Sequence, residues 1–214
     1  MKKASTLLLK YKNTFIDFDG VIKDSVEVKS DVFEQLFLSF GQDIAKKVRC
    51  HHEGNGGMSR FDKLRIYLRW SGQNPSKQLV NKYAEKFSLQ VKQKVIDSEW
   101  VKGVQNYLAE SSSKNKNFFL VTATPQKEIE EILLALNIRH CFKEVIGSPT
   151  KKHEAIRVLL DKYNIDLSQS IMIGDYRSDF NAAKINNIEF ILRCTSLNRN
   201  LQQDLNCHMI DNFL

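Results

Sequence analysis

Beyond residue 97 the sequence alternates short β-prone apolar runs with helical stretches, and this alternation leaves few folds open. FFLVTA (118–123), KEVIG (143–147), SIMIGD (170–175) and EFILRC (189–194) read as strands. Between them lie PQKEIEEILLALN, KKHEAIRVLLDKY and SDFNAAKIN, which read as helices. Pro125 opens the first of these without loss, because the first N–H groups of a helix have no partner inside it. The second turns Ala155, Ile156, Leu159 and Leu160 to one side. Strands separated by helices imply an α/β protein built on a parallel sheet with helices on both faces.

One more strand comes early, at TFIDF (14–18), and a helical block separates it from the rest. DVFEQLFLSF puts Val32, Leu36, Phe37 and Phe40 on one face, and SRFDKLRIYLRW does the same with Phe61, Leu64, Tyr67 and Leu68. HHEGNGGM (51–58) reads as a Gly-rich loop between helices. SGQNPS breaks the pattern before LVNKYAEKFSLQVKQKV starts another helix. Residues 1–20 and 97–214 are therefore expected to form the core, with 21–96 inserted directly after the first strand. SSSKNKN (111–117) reads as a surface turn.

Composition narrows the function classes. The chain has 214 residues, of which 42% are hydrophobic and 27% charged, an ordinary balance for a globular protein. No apolar run approaches the ~18 residues a membrane-spanning helix needs. The start, MKKASTLLLKY, resembles a signal peptide only faintly, since its apolar part is short and no small-residue cleavage site follows. A cytoplasmic location is expected. Cys50, Cys141, Cys194 and Cys207 form no CxxC pair and are read as reduced, mostly buried thiols. The net charge of +7 comes from scattered Lys and Arg without a nucleic-acid motif, so nucleic acid is not the expected partner.

Ligands of open parallel sheets bind beyond the carboxyl ends of the strands. The residues there are Asp17 and Asp19, then Thr122, then Lys151 and Lys152 after GSPT, then Asp175 and Asp179 in GDYRSD. Carboxylates crowded on one rim repel each other and call for a cation. Oxygen ligands in this pattern suit Mg²⁺, which takes one or two carboxylates together with phosphate oxygens. Alternation along the strand turns Phe18 away and leaves Asp17 and Asp19 on a common side. Gly20 lets the chain turn sharply out of the sheet.

DFDGV, then FLVT, then Lys, then GDYRSD resemble, in order and spacing, the four motifs of the haloacid dehalogenase (HAD) superfamily, from about Phe15 to Leu192. The resemblance implies a HAD-like Rossmannoid sheet with an α-helical cap of the C1 type inserted after the first strand. It implies phosphatase chemistry dependent on Mg²⁺, acting on a small phosphorylated metabolite such as a sugar phosphate or a phosphoglycolate-like compound. Asp17 would be the nucleophile, forming an aspartyl-phosphate. Asp19 would be the general acid and then the base. Thr122 and Lys152 would bind the phosphoryl group, Lys152 being preferred to Lys151. Asp17, the Asp19 carbonyl and Asp175 would hold the metal, with Asp179 supporting the lysine or the metal's water. By the same resemblance NGGMSRFDKL is similar to a cap specificity loop, with Arg60 reaching the substrate and His51 and His52 as further candidates. Trp70 and Trp100 are read as packing residues.

Three other readings stay open on the sequence. A β-phosphoglucomutase-like phosphomutase would use the same two aspartates. A noncatalytic binding module would keep the fold without turnover. A polynucleotide end-phosphatase would explain the basic charge. Dehalogenation is disfavoured by Asp19, because a halide leaving group needs no proton. Phosphonate hydrolysis would need a cap lysine, which the sequence alone does not single out.

Overall fold

The computed structural model describes residues 7–113 and 116–214. Its centre is a six-stranded, all-parallel sheet made of β1 (Asn13–Ile16), β2 (Asn117–Pro125), β3 (Glu144–Ser148), β4 (Ser170–Gly174), β5 (Glu189–Arg193) and β6 (His208–Ile210). The spatial order is β3-β2-β1-β4-β5-β6, so β1 lies between β2 and β4 and its end faces both neighbours' ends. Side chains alternate between faces along each strand. Ile16, Phe118, Leu120, Ile171, Ile173 and Ile191 enter one apolar cluster, while Phe15, Phe119, Val121, Met172, Phe190 and Leu192 enter the other.

Between β1 and β2 come α1 (Val26–Phe37), α2 (Gln42–Gly54), α3 (Arg60–Trp70), α4 (Lys77–Asp97) and α5 (Val104–Ser113). After β2 come α6 (Gln126–Ala135), α7 (Lys152–Lys162), α8 (Arg177–Ile185) and α9 (Arg199–Asp204). Serine side chains start α3 and α4: Ser59 Oγ accepts from Asp62 N and Ser76 Oγ from Leu79 N, each at 3.2 Å. Helices α7 and α8 cover one face with Ala155, Ile156, Leu159, Ala182 and Ala183. The other face is covered by α5 and α6, and the same apolar cluster continues without a break into α1, α3 and α4 through Val32, Phe33, Leu64, Tyr67 and Phe87. The chain leaves the sheet and returns to it side by side, with Asp24 N donating to Glu99 O (2.9 Å) and Val101 N to Ile22 O (3.1 Å).

Several expectations shift. HHEGNGGM is not all loop: α2 runs to Gly54, so His51 and His52 lie in its last turn, and His52 is buried at 6% exposure. The helical spacing of DVFEQLFLSF begins earlier, at Val26, and ends in a 3₁₀ turn over Leu38–Phe40. Pro125 closes β2 and stands just before α6 rather than inside it. Strand β6 and helices α2, α5 and α9 had no separate expectation, being short or polar. Of SSSKNKN, residues 111–113 close α5 and Asn117 opens β2, while 114–115 lie outside the described residues, as do 1–6 of MKKAST. Trp70 and Trp100 pack against the apolar cluster, as expected. The four cysteines are free thiols, but only Cys141 is buried; Cys50 is exposed, and Cys194 and Cys207 are partly exposed. No described helix is long and apolar enough to cross a membrane.

Candidate active site

The rim formed by the carboxyl ends of β1, β2 and β4 meets the helical block across a cavity of about 60 Å³. Asp17, Asp19, Thr122, Thr124 and Asp175 line it from the sheet, and Lys29, His52, Arg60 and Lys63 from the helices. Asp17 directly follows β1, where its N–H still bonds Ile173 O (3.0 Å) in the style of the sheet. Its Oδ1 accepts from Phe18 N at 2.7 Å and its Oδ2 from Lys152 Nζ at 2.6 Å. Phe18 turns into the apolar cluster and is fully buried, so the two aspartates are left to the cavity.

Lys152 opens α7 and bridges Asp17 and Asp179, reaching Asp179 Oδ1 at 2.5 Å. Lys151, one residue earlier, is exposed. Burial works against the Lys152 charge, but Asp17 and Asp179 outweigh it and hold the ammonium above the ordinary lysine range. Asp179 is placed by its own helix: its Oδ2 accepts from Tyr176 N (3.1 Å) as part of a capping box, which leaves Oδ1 for the lysine.

Asp17, Asp175 and Asp179 each bring a carboxylate oxygen within 4.8 Å of the others, and all three are buried. Lys152 pairs with two of them, and Asp175 has no cation within ion-pair distance among the described residues. Burial, then the neighbouring Asp17 and Asp179, push the Asp175 carboxyl well above its usual range. A buried group of hard oxygen donors with surplus negative charge fits Mg²⁺. The Asp19 carboxylate is not in this group, so Asp19 could reach such an ion only through its main chain. Gly20 has φ +73°, and a Cβ there would lie 2.1 Å from Asp175 Oδ2, so both the turn and the close approach require glycine.

Asp19 faces the helical block. Lys29 Nζ reaches its Oδ2 at 2.5 Å, Thr124 Oγ1 donates to the same oxygen at 3.0 Å, and Ser25 Oγ donates to Oδ1 at 2.6 Å. Burial alone would raise this carboxyl, but Lys29 and the hydrogen bonds more than offset it and hold it below the usual carboxylate range. Thr122 Oγ1 accepts from Thr124 N at 3.3 Å, leaving the hydroxyl proton free to donate.

Arg60 lines the cavity at the start of α3, yet its terminal nitrogens are engaged: Nη1 bonds Ser88 Oγ (2.5 Å) and Glu128 Oε2 (2.7 Å), and Nη2 bonds Glu128 Oε1 (2.5 Å). This bidentate pair joins α3 to α6. Tyr176 Oη donates to Glu53 O at 2.6 Å, and Gly56 lies so close to the Tyr176 ring that a Cβ would sit 2.7 Å from it. His51 lies to the side, its Nδ1 3.1 Å from Tyr67 Oη and its ring against Trp70. His52 Nδ1 is 2.8 Å from Lys63 Nζ.

Sequence reasoning missed Ser25, Lys29, Thr124, Glu128 and Lys63. Thr124 was within reach, since it stands two residues after Thr122 on a strand and shares its side. Lys63 was too, three residues after Arg60 on the face that carries Leu64 and Tyr67 inward. Lys29 and Glu128 gave no local signal, because a charged residue in a polar stretch of helix reads as solvated.

Comparison with known proteins identifies the family. The chain matches the family described as haloacid dehalogenase-like hydrolase over residues 15–193. A phosphoglycolate phosphatase of Vibrio cholerae is 39% identical over 70 residues, a stretch covering 30% of this chain and only 31% of that protein. A 5'-nucleotidase of Pseudomonas aeruginosa is 24% identical over 192 residues, covering 86% of this chain and 82% of its own. The crystal structure of CbbY from Rhodobacter sphaeroides in complex with phosphate superposes with a TM-score of 0.75 at 14% identity, covering 95% of each chain. The chain belongs to the haloacid dehalogenase-like hydrolases.

Proposed function

We propose that the protein is a Mg²⁺-dependent phosphatase that hydrolyses a small phosphomonoester through an aspartyl-phosphate on Asp17, with the helical block 21–96 acting as a cap over the site. The observation that carries this reading is the Asp17 carboxylate, fixed by Phe18 N–H and Lys152 Nζ on a cavity rim that it shares with Asp19. The relatives named phosphoglycolate phosphatase and 5'-nucleotidase support a phosphomonoester as the substrate class.

In the first half-reaction an Asp17 oxygen attacks phosphorus, the bond from phosphorus to the ester oxygen breaks, and Asp19 gives its proton to the departing alkoxide. In the second, Asp19 takes a proton from water as that water attacks the phosphoryl group, releasing inorganic phosphate and the Asp17 carboxylate. A bound Mg²⁺, held by Asp17, Asp175 and the Asp19 carbonyl, would neutralise charge on the phosphoryl oxygens. Thr122 offers its hydroxyl proton to a phosphoryl oxygen, and Lys152 balances charge on Asp17. Lys29, with the hydrogen bonds from Ser25 and Thr124, holds the Asp19 carboxyl below its usual range and so favours its ionised form. An incoming phosphate group competes for Lys29, which raises the proton affinity of Asp19 toward what the acid step needs. Arg60, neutralised by Glu128, clamps cap to core.

Asp17→Asn is expected to abolish phosphate release from p-nitrophenyl phosphate with Mg²⁺, by at least about a thousandfold, with an unchanged circular dichroism spectrum. Retained turnover would remove Asp17 as the nucleophile.

A further inference from the structure

Three cationic side chains face the cavity from the helical block, and they are not equivalent. Lys29 is paired with Asp19 and Arg60 with Glu128. Lys63 has no carboxylate within ion-pair distance among the described residues, although only 2% of it is exposed. Its hydrogen-bond partner is His52 Nδ1 at 2.8 Å. Burial, followed by the charges of Lys63 and Lys29, keeps His52 well below its usual range, so the ring is neutral. An ammonium can only donate, so Nδ1 accepts and the ring proton sits on Nε2.

We propose that Lys63, oriented by His52, is the residue by which the cap selects its substrate, and that the group it receives is a carboxylate carried by the phosphomonoester. This deepens the phosphatase reading above and rests on it. A buried cation without a counter-charge at ion-pair distance costs several kcal/mol, and the more distant Asp19 offsets that cost only in part. A hydroxyl would satisfy the donors but not the charge, whereas an anion satisfies both. His52 takes one of the three ammonium protons and leaves two for an incoming acceptor. A single positive charge matches a single negative one. A second phosphate dianion would need further cations, but beside Lys63 the Arg60 guanidinium is held by Glu128, and Lys29 lies with Asp19, where the reacting phosphate competes for it. Asp17 lines the cavity from the sheet side and Lys63 from α3, so an ester with its phosphate at the first and its carboxylate at the second lies across that one cavity.

The test compares phosphoglycolate with 2-hydroxyethyl phosphate, an ester of similar size that lacks the carboxylate, by phosphate release with Mg²⁺. The wild-type protein should prefer phosphoglycolate in kcat/KM. Lys63→Gln should cut that preference by about tenfold to a hundredfold, mostly through KM. Lys63→Arg, which keeps the charge, should retain more of the preference than Lys63→Gln, and circular dichroism of both variants controls for folding. His52→Leu should raise KM for phosphoglycolate more than it lowers kcat, the signature of a positioning residue. Release from both esters with the same ratio in wild type and Lys63→Gln overturns the Lys63 assignment while leaving the phosphatase reading standing. Failure of the wild type on both esters and on p-nitrophenyl phosphate overturns the phosphatase reading, and this inference with it.

Discussion

At the scale of single residues, Lys63 separates what the fold needs from what the site needs. Burial, then the nearby Lys29 and Arg60, pull its ammonium down to about 7 from an ordinary 10.5, with Asp19 acting in the opposite direction. Below about pH 7 both the folded and the unfolded chain carry the proton, and the folded state bears the full cost of burying it. Between about 7 and 10.5 the unfolded chain still binds the proton while the folded one does not, so stability rises with pH across that window. Lys63→Met, similar in length but uncharged, should therefore raise the thermal midpoint at pH 6. The gain should be on the order of a few kcal/mol and shrink as the pH approaches 10. A midpoint that falls on substitution, or a gain independent of pH, would show that the lysine is not carrying a buried charge.

At the scale of elements, the contact between α3 and α6 rests on Arg60 and Glu128, both 6% exposed. Burial would raise the Glu128 carboxyl, and Arg60 more than reverses that. Neutralising one partner strands the other's charge, so Glu128→Gln should cost about 3–5 kcal/mol in urea denaturation. Arg60→Met combined with Glu128→Met should recover much of that loss, since no charge of the pair is then stranded and only the Ser88 hydroxyl loses its partners. A double variant as unstable as the single one would mean that the ion pair itself, rather than the stranded charge, holds the helices together. The sequence reading has Arg60 reaching the substrate; Arg60 lines the cavity, but its terminal nitrogens are held by Ser88 and Glu128. Its partner Glu128 lies 68 residues away on another element, which helical spacing within either segment cannot reveal. The HHEGNGGM loop was misjudged too. Asn55 and the glycines signal a turn, but the turn starts only after Gly54, and His52 in the last helical turn lies buried against Phe33 and beside Lys63.

At the scale of the whole molecule, the sheet gathers like charges that the chain keeps far apart. Asp17, Asp175 and Asp179 converge within 4.8 Å, and only Lys152 stands against them among the described residues. The folded state should therefore be strained electrostatically without a metal and relieved by one. Adding Mg²⁺ should raise the thermal midpoint of the wild-type protein, and removing it with a chelator should abolish turnover. Asp175→Asn should melt higher than the wild type in metal-free buffer and respond much less to Mg²⁺. An equal Mg²⁺ response in both proteins would place the ion elsewhere.

The sequence by itself carried the strand–helix alternation, with a helical stretch between the first strand and the second, and the order in which Asp17, Thr122, the pair Lys151 and Lys152, and Asp175 follow their strands. These follow from local periodicity and from the fixed relation between parallel strands and their carboxyl ends, both of which are written in neighbouring residues. The tertiary structure alone decided which charges meet: Lys29 with Asp19, Glu128 with Arg60, and nothing acidic with Lys63. Those pairings depend on how the helical block lies over the sheet, and that placement is set by one continuous apolar cluster shared between them, in which no single stretch of sequence holds both sides of a contact.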